Sequence, residues 1–167
     1  MGDSSGSGPG QFKTPIDIDE DESKQKVYVT DIGNNRVESF SSNGLFAGQW
    51  GSLGSGDGQF ANPGRIAVDS AGNLFVADFG NNRIHKFDEK GKFLTTCGSL
   101  GSSNGQFYNP AVMTVAFPQG KVYVADTGNS RIQEFANDGK FTNSRSSTSY
   151  FPSAWPSNIN VRKKDSE

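Results

Sequence analysis

Asp78-Phe79-Gly80-Asn81-Asn82-Arg83 is written three times in this chain. It stands earlier as Asp31-Ile32-Gly33-Asn34-Asn35-Arg36 and later as Asp126-Thr127-Gly128-Asn129-Ser130-Arg131, at separations of 47 and 48 residues. Each copy closes an apolar run: Val27-Tyr28-Val29, Leu74-Phe75-Val76-Ala77 and Val122-Tyr123-Val124-Ala125. An apolar run ending in a Gly-Asn turn reads as half of a β-hairpin. Repetition at this period marks a propeller or a solenoid.

Other marks keep the same step. Gly10-Gln11-Phe12, Gly58-Gln59-Phe60 and Gly105-Gln106-Phe107 are each followed three residues later by a proline, Pro15, Pro63 or Pro110. A first strand then begins, over 16–18, 66–68 or 112–115. After the hairpin, a third strand starts at the arginine, with Val37 and Phe40, Ile84 and Phe87, or Ile132 and Phe135 as its apolar positions. A second glycine turn leads to a fourth strand over 45–50, 92–97 and 140–144. Each unit is thus expected to be a four-stranded antiparallel meander. The second strands are continuous apolar runs rather than alternations, so both of their faces are expected to be buried. Sheets stacked between neighbouring sheets, as in a propeller, satisfy that pattern. The composition agrees, with 21 Gly and 13 Phe against 32% apolar residues, which suits many short strands better than helices.

Tryptophan-aspartate propellers need a Gly-His and a Trp-Asp mark per blade, and the chain has one His and two Trp. Kelch blades favour a double glycine, which does not occur. The order Gly-Gln-Phe, Pro, strand, Val-Ala-Asp-x-Gly-Asn-Asn-Arg-Ile, Phe, Gly-Lys-Phe resembles the NHL-repeat family of β-propellers. The likeness is clearest from Gly58 to Gly98 and covers about residues 8–144. The expected architecture is all-β: a flexible N-terminus at 1–7, blades at 8–55, 56–103 and 104–148, the first strand of a fourth blade at 149–161, and a polar tail at 162–167. The fourth-blade strand is read from Pro156 to Val161, whose spacing follows that of Pro63 to Val68.

The resemblance implies a ring of about six blades, so an arc of three leaves two blade faces bare. Each bare face forgoes burial worth on the order of 10 kcal/mol. Three arrangements meet that expectation: a homodimer closing a six-bladed ring, further blades in a longer polypeptide, or an arc capped by the fourth-blade remnant.

The formal net charge of −2 gives no general pull toward nucleic acid or anionic membrane. One cysteine, Cys97, forms no intramolecular disulfide, and His85 alone is too little for a zinc site. The sequence as it stands has no secretory signal and no apolar stretch of the roughly 18–20 residues that span a bilayer. The compartment stays open.

Asp31, Gly33, Asn34 and Arg36, with Asp78, Gly80, Asn81 and Arg83 and with Asp126, Gly128, Asn129 and Arg131, form the most regular polar set. Once per blade, a short carboxylate beside a tight turn accepts backbone N–H groups. Gly and Asn supply positive φ, and Arg ties neighbouring strands. The set is therefore read as structural, with no catalytic, cofactor-binding or metal-binding residue expected. The acidic run Asp17, Asp19, Glu20, Asp21 and Glu22 lacks the EF-hand spacing and reads as a solvated loop. His85 reads as a surface or packed histidine, Cys97 as a packing residue, and Phe12, Phe60 and Phe107 as wedges between blades. The loops 51–58 and 98–105 lack the Lys-Ser/Thr of a phosphate loop and read as connectors.

The NHL resemblance admits protein-interaction modules, RNA-binding regulators, sensors and amidating lyases. Such lyases need several histidines around a metal, so no catalytic residue carries over. The leading expectation is a non-catalytic scaffold that presents blade-end loops to a protein or small ligand. The alternatives are part of a propeller lyase or hydrolase whose catalytic residues lie in other blades, and binding of single-stranded RNA through aromatic stacking.

Overall fold

The computed structural model describes residues 5–116 and 120–146. The expected fourth-blade strand at 149–161 and the tail at 162–167 lie outside the described residues. Within them, twelve strands form three four-stranded antiparallel sheets, each in simple sequential order. Blade 1 is β1 (Pro15–Asp21), β2 (Lys26–Asp31), β3 (Arg36–Ser41) and β4 (Phe46–Trp50). Blade 2 is β5 (Pro63–Val68), β6 (Leu74–Asp78), β7 (Arg83–Phe87) and β8 (Phe93–Cys97). Blade 3 is β9 (Pro110–Ala116), β10 (Lys121–Asp126), β11 (Arg131–Phe135) and β12 (Phe141–Ser146). Each proline opens an innermost strand, where the N–H it lacks belongs to the ladder's end.

The repeated hairpin has one geometry throughout. Asp31 pairs with Arg36, Asp78 with Arg83 and Asp126 with Arg131, and a single turn of 3-10 helix bridges each pair. The left-handed residue is the last before the arginine: Asn35 (φ 51°), Asn82 (φ 51°) and Ser130 (φ 53°). Asn tolerates this region better than most residues. The glycines of the motif serve another purpose. A Cβ on Gly80 would stand 2.5 Å from the Ala61 carbonyl oxygen, and one on Gly128 the same distance from that of Tyr108. Both glycine N–H groups donate to those carbonyls, at 2.7 and 2.8 Å. Glycine is needed here for close approach, not for the positive φ expected from the sequence.

The cores lie between blades. Tyr28 and Val37 of blade 1 pack with Ile66, Val68, Leu74, Val76 and Phe87 of blade 2. Phe75, Ile84 and Cys97 of blade 2 pack with Met113, Val115, Val122 and Val124 of blade 3. The middle strands therefore bury both faces, which accounts for their unbroken apolar runs. Phe60 and Phe107, from the connectors, are fully buried in these seams. The ends of the arc differ. Ile18, the counterpart of Ile66 and Met113, is 57% exposed where they are 5%. Tyr123 and Ile132 are half-buried where Phe75 and Ile84 are buried.

Replacing Phe107 by Ala is expected to lower the free energy of unfolding by about 3–5 kcal/mol, read by urea denaturation. Leu94→Ala, at an exposed site, is expected to change it by less than about 0.5 kcal/mol.

Candidate functional site

The motif Asp is fully buried in every blade, and its donors come from the motif's own side chains and from the connector that enters the same blade. Asp78 Oδ1 accepts the Ala61 N–H at 2.7 Å, while Oδ2 accepts Asn81 Nδ2 at 2.7 Å and Arg83 Nε at 2.9 Å. Asp126 repeats this with Tyr108 N–H, Asn129 Nδ2 and Arg131 Nε. Asp31 accepts the Lys13 and Thr14 N–H groups and Asn34 Nδ2. Each motif Asn also donates to a connector carbonyl, that of Gly6, Gly54 or Gly101. The guanidinium fork completes the clasp: Arg83 donates to the carbonyls of Ser55, Gly56 and Gln59, and Arg131 to those of Ser103 and Gln106. Arg thus ties down its own connector, where the sequence suggested neighbouring strands.

Two residues past each Arg lies a position whose repetition the sequence does not betray, although His85 there reads as a surface or packed residue. Glu38, His85 and Gln133 occupy it, and all three are fully buried. Glu38 accepts the Gly10 N–H at 3.1 Å and Gln133 accepts the Gly105 N–H at 2.8 Å. His85 Nε2 stands 3.5 Å from Asp78 Oδ2 among the rings of Phe60, Phe87 and Phe93. In blade 1 the Glu38 carboxylate draws Arg36 Nη2 to 2.5 Å, and Arg36 Nε stands 3.7 Å from Asp31, beyond hydrogen-bond reach. Identical phase in three repeats was the available signal, masked by three different side chains.

Burial pushes the Asp78 carboxyl up, but its hydrogen bonds outweigh that and hold it below its usual value. At 3.5 Å the imidazole contributes less to this than Asn81, Ala61 and Arg83 do at 2.7–2.9 Å. Asp69 behaves alike: burial raises it, and Asn137, Asn73 and the Ala71 N–H bring it lower. Glu38 goes the other way, raised by burial despite Arg36. Cys97 is pushed up to about 12 by burial, so its thiol is a packing group without nucleophilic character.

The acidic run is not a solvated loop. Asp17 and Asp19 lie in β1 and accept the Ile66 and Val68 N–H groups of β5, at 3.0 and 2.8 Å. Asp17 also meets Arg65 at 3.2 Å. These carboxylates satisfy the free edge of the next blade's inner strand, a role the sequence conceals because the partner is 48 or 49 residues away. The seams carry a second tie, from the Asn62 N–H to Asn35 Oδ1 at 3.1 Å and from the Asn109 N–H to Asn82 Oδ1 at 3.0 Å.

Among the described residues, cavities open at both ends of the blades. On the hairpin side, a cavity of about 310 Å³ is lined by Phe79, Asn82, Leu100, Tyr108, Asn109 and Gly128. Leu53, Leu100 and Tyr108, all on this side, are 72%, 62% and 57% exposed. On the opposite side, a cavity of about 300 Å³ sits between blades 1 and 2. Among the described residues no group of three or more His, Cys, Asp or Glu side chains is placed to hold a metal ion, and no helix is long and apolar enough to cross a membrane.

Stacked four-stranded meanders with their cores at the seams define a β-propeller. Residues 60–87 and 107–135 match the NHL repeat. The chain thus carries NHL repeats on a β-propeller fold. Among solved structures, it is similar to a streptogramin B lyase, with 23% identity over 84% of this chain and 42% of the lyase, at a TM-score of 0.64. It is also similar to virginiamycin B lyase from Staphylococcus aureus, with 20% identity over 80% of this chain and 41% of that one, at a TM-score of 0.61. A nidogen–laminin complex gives 15% identity over 81% and 48%, at a TM-score of 0.60. The likeness at these identities is one of fold, and the chain spans less than half of each of these structures. No curated protein matches the chain.

Asp78→Ala strands the Arg83 guanidinium and the Ala61 N–H, and is expected to cost about 3–5 kcal/mol of stability in urea denaturation. His85→Gln, which copies the side chain at Gln133, is expected to stay within about 1 kcal/mol of the parent.

Because Asp69 and Asp78 have lowered folded-state values, their contribution is fully present above the unfolded value of about 3.9 and lost as pH falls through the folded one. Among the described residues, Glu38, raised by burial, opposes this. The urea midpoint is expected to hold between about pH 7 and 5 and to fall below about pH 4. A midpoint constant down to about pH 2 would contradict this assignment.

Proposed function

We propose that this chain is a non-catalytic recognition scaffold that presents the hairpin-side loop ends of its blades to a partner protein or small ligand. The observation that carries the reading is the exposure of Leu100 and Tyr108 in the lining of the hairpin-side cavity, with Leu53, the counterpart of Leu100 in the preceding connector, exposed as well. Large apolar side chains held in water by a tied-down loop mark a contact surface. The motif Asp, Asn and Arg residues are read as structural in this proposal, because their donors and acceptors are spent on the connectors.

The lyase-type alternative draws on fold alone, since the streptogramin and virginiamycin lyases are 23% and 20% identical to this chain. Single-stranded RNA binding has less support: Phe60 and Phe107, two of the aromatics that would have to stack on bases, are buried.

The test compares proteins retained by the immobilised chain with those retained by a variant carrying Leu53→Asp, Leu100→Asp and Tyr108→Asp. Retention at micromolar concentration, lost in a variant that melts like the parent, is the expected outcome. Equal retention by both would overturn the reading.

The open blade faces favour a second element of this proposal. Blade 1 offers Ile18 and Phe46, 57% and 39% exposed, and blade 3 offers Tyr123 and Ile132. These are opposite halves of an interior seam, so two copies related by a two-fold axis complete a six-bladed ring. Thr14 and Ser130 stand where the interior seams place asparagines, so this seam relies on apolar contact. Sedimentation is expected to give twice the 17.9 kDa chain mass. A monomer at micromolar concentration would rule the dimer out.

A further inference from the structure

The cavity of about 300 Å³ on the side opposite the hairpins is unlike the apolar one. The residues that end β1 and turn toward β2 form one wall, with Glu20, Asp21, Glu22 and Ser23. The turn after β5 forms the other, with Asp69 and Ser70. Asp69 is fully engaged, accepting from the Ala71 and Asn73 N–H groups and from the side-chain amides of Asn73 and Asn137.

Asp21 is not. It is 7% exposed, and its Oδ1 accepts Ser23 Oγ at 2.6 Å and the Lys24 N–H at 3.2 Å. Its Oδ2 is buried with no hydrogen-bond partner. That oxygen faces the blade 2 wall, where a Cβ on Gly72 would stand 2.7 Å away. The nearby cation is Lys24, with Nζ 3.9 Å from this oxygen. Lys24 is committed to Glu89 at 2.7 Å and to the Ala71 carbonyl at 3.0 Å. Two lysines, Lys24 and Lys86, thus stand 3.9 Å from Asp21 and Asp69, Glu20 and Glu22 add their carboxylates to the same cavity, and a buried oxygen of Asp21 is left to accept a donor.

The arrangement selects the class of ligand. A metal ion needs ligands that converge on a point, and among the described residues no group of three or more does so. Negative charge spread over a cavity of this size suits an organic cation with several donors. Val68 lines the cavity and supplies an apolar surface for an aliphatic stem. A guanidinium carries five donors in a planar fork and can bridge two carboxylates.

We propose that this cavity binds an arginine side chain of a partner polypeptide, with the guanidinium donating to Asp21 Oδ2 and to the Glu20–Glu22 rim. This rests on the recognition reading and assigns it a second contact, on the other end of the blades.

The test is an NMR titration of the isotope-labelled chain with the peptide Gly-Gly-Arg-Gly-Gly and with its neutral citrulline counterpart. The arginine peptide is expected to shift the amides of Ser23, Lys24, Ser70 and Ala71 saturably. The citrulline peptide is expected to bind about ten-fold more weakly, having lost a charge-assisted hydrogen bond. Added salt is expected to weaken the arginine peptide and leave the citrulline peptide unchanged.

Asp21→Asn retains an oxygen for Ser23 and Lys24 and is expected to weaken the arginine peptide about ten-fold. If that variant unfolds, Glu20→Gln with Glu22→Gln carries the same expectation from the rim. Equal binding of the two peptides, unchanged affinity in the variants, or shifts mapping elsewhere would overturn the proposal. Partner retention that survives Glu20→Gln with Glu22→Gln but is lost with Leu53, Leu100 and Tyr108 replaced would keep the recognition reading and reject this one.

Discussion

A carboxylate removed from water must be given donors or lose its charge, and in this molecule that requirement organises each blade. Asp31, Asp78 and Asp126 are fully buried at the corner where the second strand ends. Few strand N–H groups are free there, because the ladder uses them. The donors come instead from the following Asn, from the connector entering the blade and, in blades 2 and 3, from the Arg. A segment without regular secondary structure is thereby fixed at both ends, by the carboxylate at one and the guanidinium fork at the other. The glycine of the motif allows the hairpin to touch that connector, and one more bond comes from the N–H of Gly80 or Gly128, or of Ile32 in blade 1.

Fixing the connectors bears on the recognition role proposed for this chain. Leu53 and Leu100 sit in these segments, and Tyr108 directly follows the buried Phe107. An apolar side chain held in water on a rigid frame binds without first being ordered, which removes part of the entropic cost of association. The same economy holds at the opposite end, where Asp17 and Asp19 lock the two inner strands and so position the walls that carry Asp21 and Asp69.

The sheets, their order and the hairpin positions were legible because the sequence repeats them in phase, and three copies distinguish a rule from an accident. What the repeat does not contain was harder to read. Asp17 and Asp19 reach Ile66 and Val68 across a seam, and the equivalent positions Arg65 and Ala67 do not copy them, so their role is visible only in space. The niche at Glu38, His85 and Gln133 was hidden for a related reason. One geometric position accepts an acid, an imidazole or an amide, and a search by residue type treats these as unrelated. The glycines of the motif were read for torsional freedom, whereas the neighbouring carbonyl, 19 or 20 residues earlier in the chain, sets the constraint.

If the buried Asp organises the blade, it holds the connector as firmly as the sheet holds its own strands. Native-state hydrogen exchange of the Ala61 and Tyr108 amides, whose N–H groups donate to Asp78 and Asp126, measures this directly. The account predicts protection equal to that of Val76 and Val124 in the central strands, lost only on global unfolding. Exchange of the Ala61 and Tyr108 amides at the rate of an open loop, with Val76 and Val124 still protected, would contradict it.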